Sequence, residues 1–259
     1  MIPEPMAIQT DPEASTRRIE SFPRTRRLLF ASNLDGSGEL LEYALKRPLD
    51  ILVATTGFLF LSPVWFVVTL AILLEDGPPI LFRQKRWGRN GRPFTAFKFR
   101  SMVKDADTLY GSVQAGEGDP RITGVGRILR ATAMDELPQV INILRGDMSF
   151  VGPRALPINE RQQKEGATQV ADDQVPFFEW RTLARPGLTG VAQVLAARDV
   201  SRRSKFRYDK FYVLRQSLVL DAWLFFVSIW ITLRARWESR GEKVRRPRFF
   251  PRRNSGFKP

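Results

Sequence analysis

The chain has 259 residues, with 41 Lys and Arg against 27 Asp and Glu, so its formal net charge is +14. It contains no Cys and no His, which excludes disulfide scaffolds, thiolate nucleophiles, Ser-His-Asp catalysis and metal sites built on Cys or His. Any chemistry must use carboxylates, amines, guanidinium groups, hydroxyls or a hard metal ion. The charge favours an anionic partner: nucleic acid, a membrane surface or a phosphorylated substrate.

The first segment of the chain, residues 1–43, is rich in Pro, Ser, Thr, Glu and Arg and has weak hydrophobic periodicity. This composition predicts a disordered or weakly ordered N-terminal extension, because such residues bury too little apolar surface to offset the entropy of ordering. No apolar stretch follows Met1, so the segment does not have the pattern of a signal peptide.

The strongest local signal is an uncharged apolar run of 24 residues, 51–74. By its length, the run can span a bilayer as a single helix. Two features favour a re-entrant hairpin within residues 44–76 instead. Ser62 and Pro63 stand at the midpoint, where proline interrupts a helix, and basic residues flank both ends, which favours two cytoplasmic ends. On these residues alone, a transmembrane helix and a hairpin broken at Ser62-Pro63 both remain open.

The stretch that follows the apolar run is typical of a compact, cytosolic α/β region. Residues 80–83 and 94–99 are predicted as short strands around a turn at residues 89–91, which read Arg-Asn-Gly. Residues 185–190 are predicted as a loop, because Pro and Gly punctuate them. Residues 201–216 are predicted as a basic helix with interleaved aromatic side chains.

Two adjacent acids, Asp135 and Glu136, precede Pro138 and an apolar stretch at helical spacing. Because proline is tolerated only in the first turn of a helix, the pattern predicts a helix that begins near Asp135, with both carboxylates at its positive end. Such a pair can share a hard cation, and an ionised carboxylate can attack a phosphoryl group. On spacing alone, the simpler explanation is an ordinary helix cap.

Basic side chains accompany this acid pair. Guanidinium groups suit phosphate because they present a planar, bidentate fork. Acids for a metal ion, arginines for phosphate and a membrane segment together predict phosphoryl transfer to or from a molecule in the bilayer. The basic residues concerned are Lys98, Arg100, Arg127, Arg130, Arg145, Arg154 and Arg185.

The C-terminal part is strongly basic, with 16 basic and 4 acidic residues from residue 201 onward. Within it, residues 222–233 form a second apolar run that is too short to span a bilayer. Its tryptophans and the basic residues after it suit an interfacial helix, and a buried core helix explains the run equally well. The basic tail, residues 237–259, suits either a solvated tail or a segment held at an anionic bilayer.

The ordered motifs of residues 44–236 resemble the bacterial sugar transferase family, the monotopic polyprenyl-phosphate phosphoglycosyl transferases. Each motif is weak by itself, and the ordered set is specific. In chain order, the matching blocks are KRPLD at 46–50, SP at 62–63, FRQKR at 82–86, FKFRSM at 97–102, DPRIT at 119–123, GRILR at 126–130, DELPQ at 135–139, GDMSFVGPR at 146–154 and RPGLTG at 185–190.

The resemblance implies transfer of a sugar-1-phosphate from a UDP-sugar to undecaprenyl phosphate, with release of UMP, as the first membrane step of glycan assembly. It implies Asp135 as the nucleophile of a covalent phosphosugar intermediate, and Glu136 with Asp135 at a Mg²⁺ ion. The cationic substrate- and phosphate-binding positions correspond to Lys98, Arg130 and Arg154. Arg198 is assigned to the same group, although it lies one residue later than the family motif places its arginine.

The fold implied is α/β and mostly helical, with a membrane-embedded re-entrant hairpin, interfacial helices and a small cytosolic α/β catalytic core. The expected organisation is an N-terminal extension, a hairpin within 44–76, a catalytic domain over 77–236 and the basic tail. A short-form enzyme of this kind is expected at the bacterial inner membrane, on anionic lipid, with its catalytic domain facing the cytoplasm. Homo-oligomerisation stays open.

Two other functions compete with this interpretation. A basic nucleic-acid-binding protein would account for the net charge and for the aromatic residues interleaved in 201–216, but no nucleic-acid motif is present and the apolar run is left unexplained. A single-pass membrane scaffold without activity is the second alternative. We therefore expect no nucleic-acid partner, and the residues identify neither the sugar nor the glycan pathway.

Overall fold

A computed structural model describes residues 37–104, 106, 118–158, 172–196, 200–234 and 237 of the chain. The predicted N-terminal extension up to residue 36, Arg198 and the basic tail beyond residue 237 lie outside the described residues.

The described residues form a mostly helical α/β fold with two small sheets. Three single 3₁₀ turns, Arg89–Gly91, Met134–Glu136 and Asp172–Gln174, connect these elements. The helices are α1 Ser37–Phe60, α2 Ser62–Asp76, α3 Gly124–Thr132, α4 Gln139–Arg145, α5 Phe178–Thr182, α6 Val191–Leu195, α7 Arg202–Arg215 and α8 Leu218–Leu233. The strands are β1 Leu81–Trp87, β2 Pro93–Phe99, β3 Ser149–Val151 and β4 Gly187–Thr189.

Helices α1 and α2 form a bent pair, called the hairpin below. No single helix in the described part of the chain is long and apolar enough to cross a membrane, whereas Ala44–Phe60 and Ser62–Asp76 meet that requirement together, with a 60° bend between them. The predicted break at Ser62-Pro63 is confirmed. Pro63 cannot donate a backbone hydrogen bond to Leu59, and the Ser62 hydroxyl donates to the Leu59 carbonyl instead, at 2.8 Å.

The start of the hairpin differs from the prediction. The sequence placed residues 37–43 in a disordered or weakly ordered extension, but α1 begins at Ser37. The reason is local composition, because the segment from residue 39 reads ELLEYALK, and Glu, Leu, Ala and Lys have high helix propensity.

Two sheets of two strands flank the site described below. Strands β1 and β2 pair antiparallel, from Leu81 opposite Phe99 to Trp87 opposite Pro93, which confirms the predicted hairpin of strands and lengthens its first strand. Asn90 turns the chain at φ 56°, a left-handed conformation that Asn tolerates better than most residues. Strands β3 and β4 pair in parallel. The prediction of a loop over residues 185–190 is therefore only partly correct, because residues 187–189 form β4.

The hairpin packs on the core through apolar side chains from both arms. In the first arm, Ala54 lies against Ile143 of α4 and Met148. In the second arm, Val68 and Ile72 lie against residues of β2 and α3. The largest apolar cluster lies elsewhere, among α6, α7 and α8.

Polar side chains also attach both ends of the hairpin to the same core. Near the start of the first arm, the Arg47 guanidinium donates to the carbonyl of Ile143 at 2.6 Å, and Asp50 accepts from the Ser149 hydroxyl at 3.0 Å. At the end of the second arm, the Glu75 carboxylate accepts from the first two amides of α3, at 2.7 and 2.9 Å. Both ends of the hairpin therefore contact the same folded core.

Helix α8 combines both structures that the sequence left open for residues 222–233. One face is buried through Leu220, Leu224 and Ile231. The other face is exposed, with Phe226 at 67% and Leu233 at 76% exposure. Such a helix is core on one side and suited to an interface on the other.

Candidate active site

The acid pair lies in a tight turn between α3 and α4. Ala133, in the left-handed region at φ 56°, ends α3, and the 3₁₀ turn Met134–Glu136 carries both carboxylates. The prediction of an α-helix beginning near Asp135 is therefore wrong, since α4 begins at Gln139. Pro138 stands at the cap position of α4, where its missing N–H costs nothing, so the acids precede this helix rather than occupy its first turn.

Three segments bring charged side chains together at this turn. Asp135 and Glu136 are 6% and 8% exposed. The Lys98 ammonium, from β2, donates to Glu136 Oε1 at 2.6 Å and lies 3.4 Å from Asp135 Oδ2. The Arg154 guanidinium, from the segment after β3, donates to the same Glu136 oxygen at 2.8 Å. The structure thus brings two of the predicted cations into contact with the acids, one from before the pair in the chain and one from after it.

The two carboxylates differ in their proton affinity. Burial raises the pKa of Asp135 above its ordinary value, Lys98 opposes this shift, and the neighbouring charge of Glu136 adds to it. Burial would also raise the pKa of Glu136, but the charges of Arg154, Lys98 and Arg86 together lower it well below its usual range. Glu136 is therefore held ionised, whereas Asp135 is the more basic of the two.

Two further arginines influence the acid pair. Arg130, in the last turn of α3, lies near enough to lower the pKa of Asp135 and lines the same cavity. Arg86 of β1 donates to the Ala155 carbonyl at 2.8 Å and acts on Glu136. Arg86 belongs to one of the sequence motifs but was not predicted as a site residue. It stands three residues after the exposed Arg83 and one after the exposed Lys85, so its neighbours in sequence gave no signal of burial.

A cavity of about 1250 Å³ contains the acid pair. Its polar lining includes the acids with Lys98, Arg130 and Arg154, and also Arg86, Arg181 and Asp209. Its apolar part reaches the hairpin and α8, so one space joins buried charges to the apolar arms. The apolar lining includes Val53, Gly57, Leu61 and Val64 of the hairpin and Phe225, Ile229 and Leu233 of α8.

The acid pair suits a hard cation only in combination with a ligand. Among the described residues, no group of three or more Asp, Glu, His or Cys side chains could hold a metal ion. Magnesium is commonly held by one or two carboxylates together with substrate phosphates. Lys98 contacts Oδ2 of Asp135, and both Lys98 and Arg154 contact Oε1 of Glu136. Within the described part of the chain, the second oxygen of each carboxylate forms no ion pair and could face a cation. The donor set therefore fits Mg²⁺ bound with a diphosphate.

A buried ion pair that contacts the Arg154 backbone was not predicted from the sequence. Arg181 of α5 and Asp209 of α7 lie 3.1 Å apart and are 5% and 3% exposed. The Arg181 guanidinium also donates to the backbone carbonyl of Arg154. The sequence does contain a signal for the burial of Asp209. This residue stands three residues after Phe206 and three before Tyr212, so in a helix it lies on the same face as these apolar side chains.

The aromatic residues of α7 bear on the nucleic-acid alternative. The predicted basic helix is confirmed as Arg202–Arg215. However, Phe206, Tyr208 and Tyr212 are each 1% exposed and belong to the core. Three of the four interleaved aromatic side chains therefore serve packing, and Phe211 is partly buried.

The chain matches known proteins over most of its length. The family model described as "Bacterial sugar transferase" matches residues 41–235. The chain is 38% identical to the exopolysaccharide production protein PSS of Rhizobium leguminosarum bv. phaseoli over 194 residues, which cover 73% of this chain and 95% of that protein.

Two longer relatives have names that state an activity. One is the UDP-N-acetylgalactosamine-undecaprenyl-phosphate N-acetylgalactosaminephosphotransferase of Aeromonas hydrophila, 38% identical over 188 residues, which cover 71% of this chain and 43% of that protein. The other is the UDP-glucose:undecaprenyl-phosphate glucose-1-phosphate transferase of Escherichia coli K12, 37% identical over 207 residues, which cover 78% of this chain and 42% of that protein. The chain therefore spans less than half of these two relatives.

Proposed function

The chain belongs to the bacterial sugar transferase family and is an enzyme of the polyprenyl-phosphate sugar phosphotransferase class, and we propose that it transfers a sugar-1-phosphate from a UDP-sugar to undecaprenyl phosphate and releases UMP. One observation carries the proposal: a single cavity joins a buried carboxylate pair and its cations to apolar walls from the hairpin and α8. A nucleotide sugar needs the charged part, and a polyprenyl phosphate needs both.

In the proposed mechanism, Asp135 is the nucleophile. A carboxylate oxygen of Asp135 attacks the phosphorus that carries the sugar, the bond from this phosphorus to the bridging oxygen breaks, and UMP leaves with the electron pair. An oxygen of undecaprenyl phosphate then attacks the same phosphorus and releases the Asp135 carboxylate unchanged. The raised pKa of Asp135 supports this role over Glu136, because a more basic carboxylate is the better nucleophile once ionised.

The surrounding residues would stabilise charge during both steps. Glu136 and Asp135 would hold Mg²⁺, which would neutralise the diphosphate and polarise the phosphorus when bound. Lys98 keeps Glu136 ionised and lies between the two acids, so it is placed to offset the charge of the transferred phosphoryl group. Arg130 and Arg154 would bind phosphate oxygens, and Arg198 is proposed for the same role.

We also propose that the hairpin enters the membrane and returns to the cytoplasmic face. Its uncharged middle exposes large apolar side chains, such as Phe60 at 80% and Leu74 at 79% exposure. Its two ends contact the same core, through Arg47 at one end and Glu75 at the other. A single straight span would separate those ends by the thickness of the bilayer. The proposed location is therefore the bacterial inner membrane, with the core in the cytoplasm.

The nucleophile is tested by Asp135→Asn, which keeps the side-chain shape and removes the negative charge. In membranes that contain undecaprenyl phosphate, UMP release from a panel of UDP-sugars is expected to fall by about 10³-fold or more. The matched control is Asp147→Asn, a nearby acid with no contact to the pair in the described residues. A second arm adds EDTA, which is expected to stop release until excess Mg²⁺ is restored. Undiminished release by Asp135→Asn would exclude this nucleophile.

The topology is tested by labelling, and the absence of native Cys makes single substitutions unambiguous. Leu45 lies near the start of the first arm, Lys85 lies after the second arm, and both are exposed. An impermeant maleimide is therefore expected to label Leu45→Cys and Lys85→Cys from the cytoplasmic face only. Phe60→Cys, at the bend, is expected to be protected in membranes and labelled in denaturant. Labels on opposite faces for the first two would establish a single-pass span.

A further inference from the structure

We propose that Arg181 and Asp209 are positioning residues, whose buried pair holds the backbone of Arg154 and thereby the guanidinium that contacts Glu136. The inference rests on the proposed function, because it assigns a role within that reaction. In the described part of the chain, neither residue contacts a carboxylate of the acid pair. Both line the same cavity, and Arg154 connects them to Glu136.

The contacts form a chain that links three segments. Asp209 of α7 lies 3.1 Å from the Arg181 guanidinium of α5, and the same guanidinium lies over the Phe206 ring at 4.5 Å. Arg181 then donates to the main-chain carbonyl of Arg154. From there, the Arg154 side chain reaches Glu136 at 2.8 Å. The guanidinium of Arg181 is thus fixed by a charge and a ring, and it fixes a backbone group in turn.

Arg154 depends on its backbone for its position. Its side chain is 43% exposed, so packing alone does not determine where the guanidinium lies. Its backbone bridges to Gly187 of β4 on one side, and Arg181 binds its carbonyl on the other. A shift of this backbone would be transmitted to the contact with Glu136, and small displacements of a positioned group cost large factors in rate.

Fold stability alone does not explain why the Arg181–Asp209 pair is buried. The free-energy cost of removing two charges from water is about as large as the gain from their attraction. Apolar side chains of similar volume therefore commonly stabilise such a site equally well. The region already has a large apolar cluster nearby, to which Val213 and Tyr212 of the same helix belong. The pair is better explained by the geometry that it imposes, since a guanidinium can bind a carboxylate and a carbonyl at the same time.

The experiment is a double-mutant cycle on kcat/KM for UMP release. Arg181→Lys keeps the positive charge but loses the planar fork that reaches both Asp209 and the Arg154 carbonyl. It is expected to lower kcat/KM about tenfold when Arg154 is present, and by less than about twofold in an Arg154→Ala background, because no side chain is then left to position. Asp209→Asn is expected to follow the same pattern, and Asp209→Glu, which keeps the charge, to retain part of the activity.

A matched control separates positioning from general stability. Val213→Ala removes buried volume from the same helix, one turn after Asp209, without touching the pair. It is expected to lower the unfolding temperature while leaving kcat/KM unchanged in both backgrounds. Hydrogen exchange gives a second readout that needs no activity: Arg181→Lys is expected to raise exchange in the peptide spanning residues 149–154, and Val213→Ala is not.

Two outcomes would overturn the positioning role, and a third concerns the proposed function. Equal losses from Arg181→Lys in both backgrounds, with exchange over 149–154 unchanged, would overturn the positioning role. A loss confined to Arg181 variants, with Asp209 variants fully active, would instead indicate direct contact between Arg181 and the substrate and would also overturn it. Absence of UMP release by the wild-type chain would exclude the proposed function, and the exchange measurement would still decide whether the pair holds the Arg154 segment.

Discussion

Polar side chains make different kinds of contact in the hairpin and in the catalytic core. In the hairpin, Arg47 and Glu75 bind backbone groups of the core, and Asp50 binds a hydroxyl and an amide. Two hairpin residues, Lys46 and Asp76, each pair with one opposite charge, on Asp221 and Arg100. In the core, Lys98 and Glu136 meet as oppositely charged groups. A bond to a backbone group fixes where a helix lies, whereas a buried ion pair also determines which groups are ionised.

The hairpin contacts therefore serve to attach the arms to the core, whereas the core charges serve the reaction. Loss of a hairpin contact is expected to weaken docking of the arms and so to reduce stability, with a smaller effect on the rate per folded molecule. Loss of a core charge is expected to change the proton affinity and position of the acids, and so to reduce the rate first. The predictions below test that separation, from the largest expected effect to the smallest.

The largest effect is expected from Lys98→Met, which keeps the length of the side chain and removes its charge. Two adjacent carboxylates would then lose a shared cation, so UMP release is expected to fall by about 10²-fold. The control is Lys85→Met, an exposed lysine on the neighbouring strand, which is expected to stay fully active. Equal activity in both variants would show that charge pairing at the acids does not govern the rate.

An intermediate effect is expected on stability as a function of pH. Burial raises the pKa of Asp209 to about 6, against the opposing charges of Arg181 and Lys205. The folded protein therefore holds this proton more tightly than the unfolded chain, in which Asp titrates near about 3.9. The stability contributed by the protonated form is complete below about pH 4 and is lost as the pH rises through about 6.

The measurement is denaturant unfolding in detergent between pH 4 and pH 7. The unfolding free energy of the wild-type chain is expected to fall, relative to that of Asp209→Asn, by up to about 3 kcal/mol across this range. Asp119→Asn is the matched control: a hydrogen bond from Arg121 lowers the pKa of Asp119, so the difference between this variant and wild type should stay nearly constant above pH 4. A pH-independent difference at Asp209 would contradict the raised pKa.

The smallest effect is expected in the hairpin, from Asp50→Ala. Asp50 accepts from the fully buried Ser149 hydroxyl and from the Phe150 amide, and both donors would lose their partner. The unfolding free energy is expected to fall by about 1–3 kcal/mol, with activity per folded molecule reduced less than in Lys98→Met. Leu52→Ala, at a position that is 62% exposed, should change neither quantity in detergent. Loss of activity at unchanged stability would remove the distinction between the two regions.

Several features of the fold were predictable because their causes are local. The break at Ser62-Pro63 follows from the missing N–H of proline, and the strands around Asn90 follow from a turn signal between apolar segments. The family was predictable for a different reason: motifs that are individually weak occur in one order over most of the chain, and the family match over residues 41–235 confirms that resemblance.

Other features were missed because two local rules competed or because the cause was distant. The helix after the acid pair was predicted to begin near Asp135, but the left-handed Ala133 and the 3₁₀ turn delay it to Gln139. Arg181 gave no signal at all, because neighbours along the chain do not determine its burial. Only packing between α5 and α7 places it against Asp209.

By itself, the sequence determined the inventory of this protein: carboxylates without His or Cys, an excess of cations, an apolar run with a central break, and a family. Tertiary structure alone decided which cations meet the acids. Lys98 lies 38 residues before Glu136 and Arg154 lies 18 after it, while Arg181 reaches Arg154 across 27 residues. Such contacts depend on how separate elements pack, and periodicity and propensity, which act over a few residues, carry no information about them.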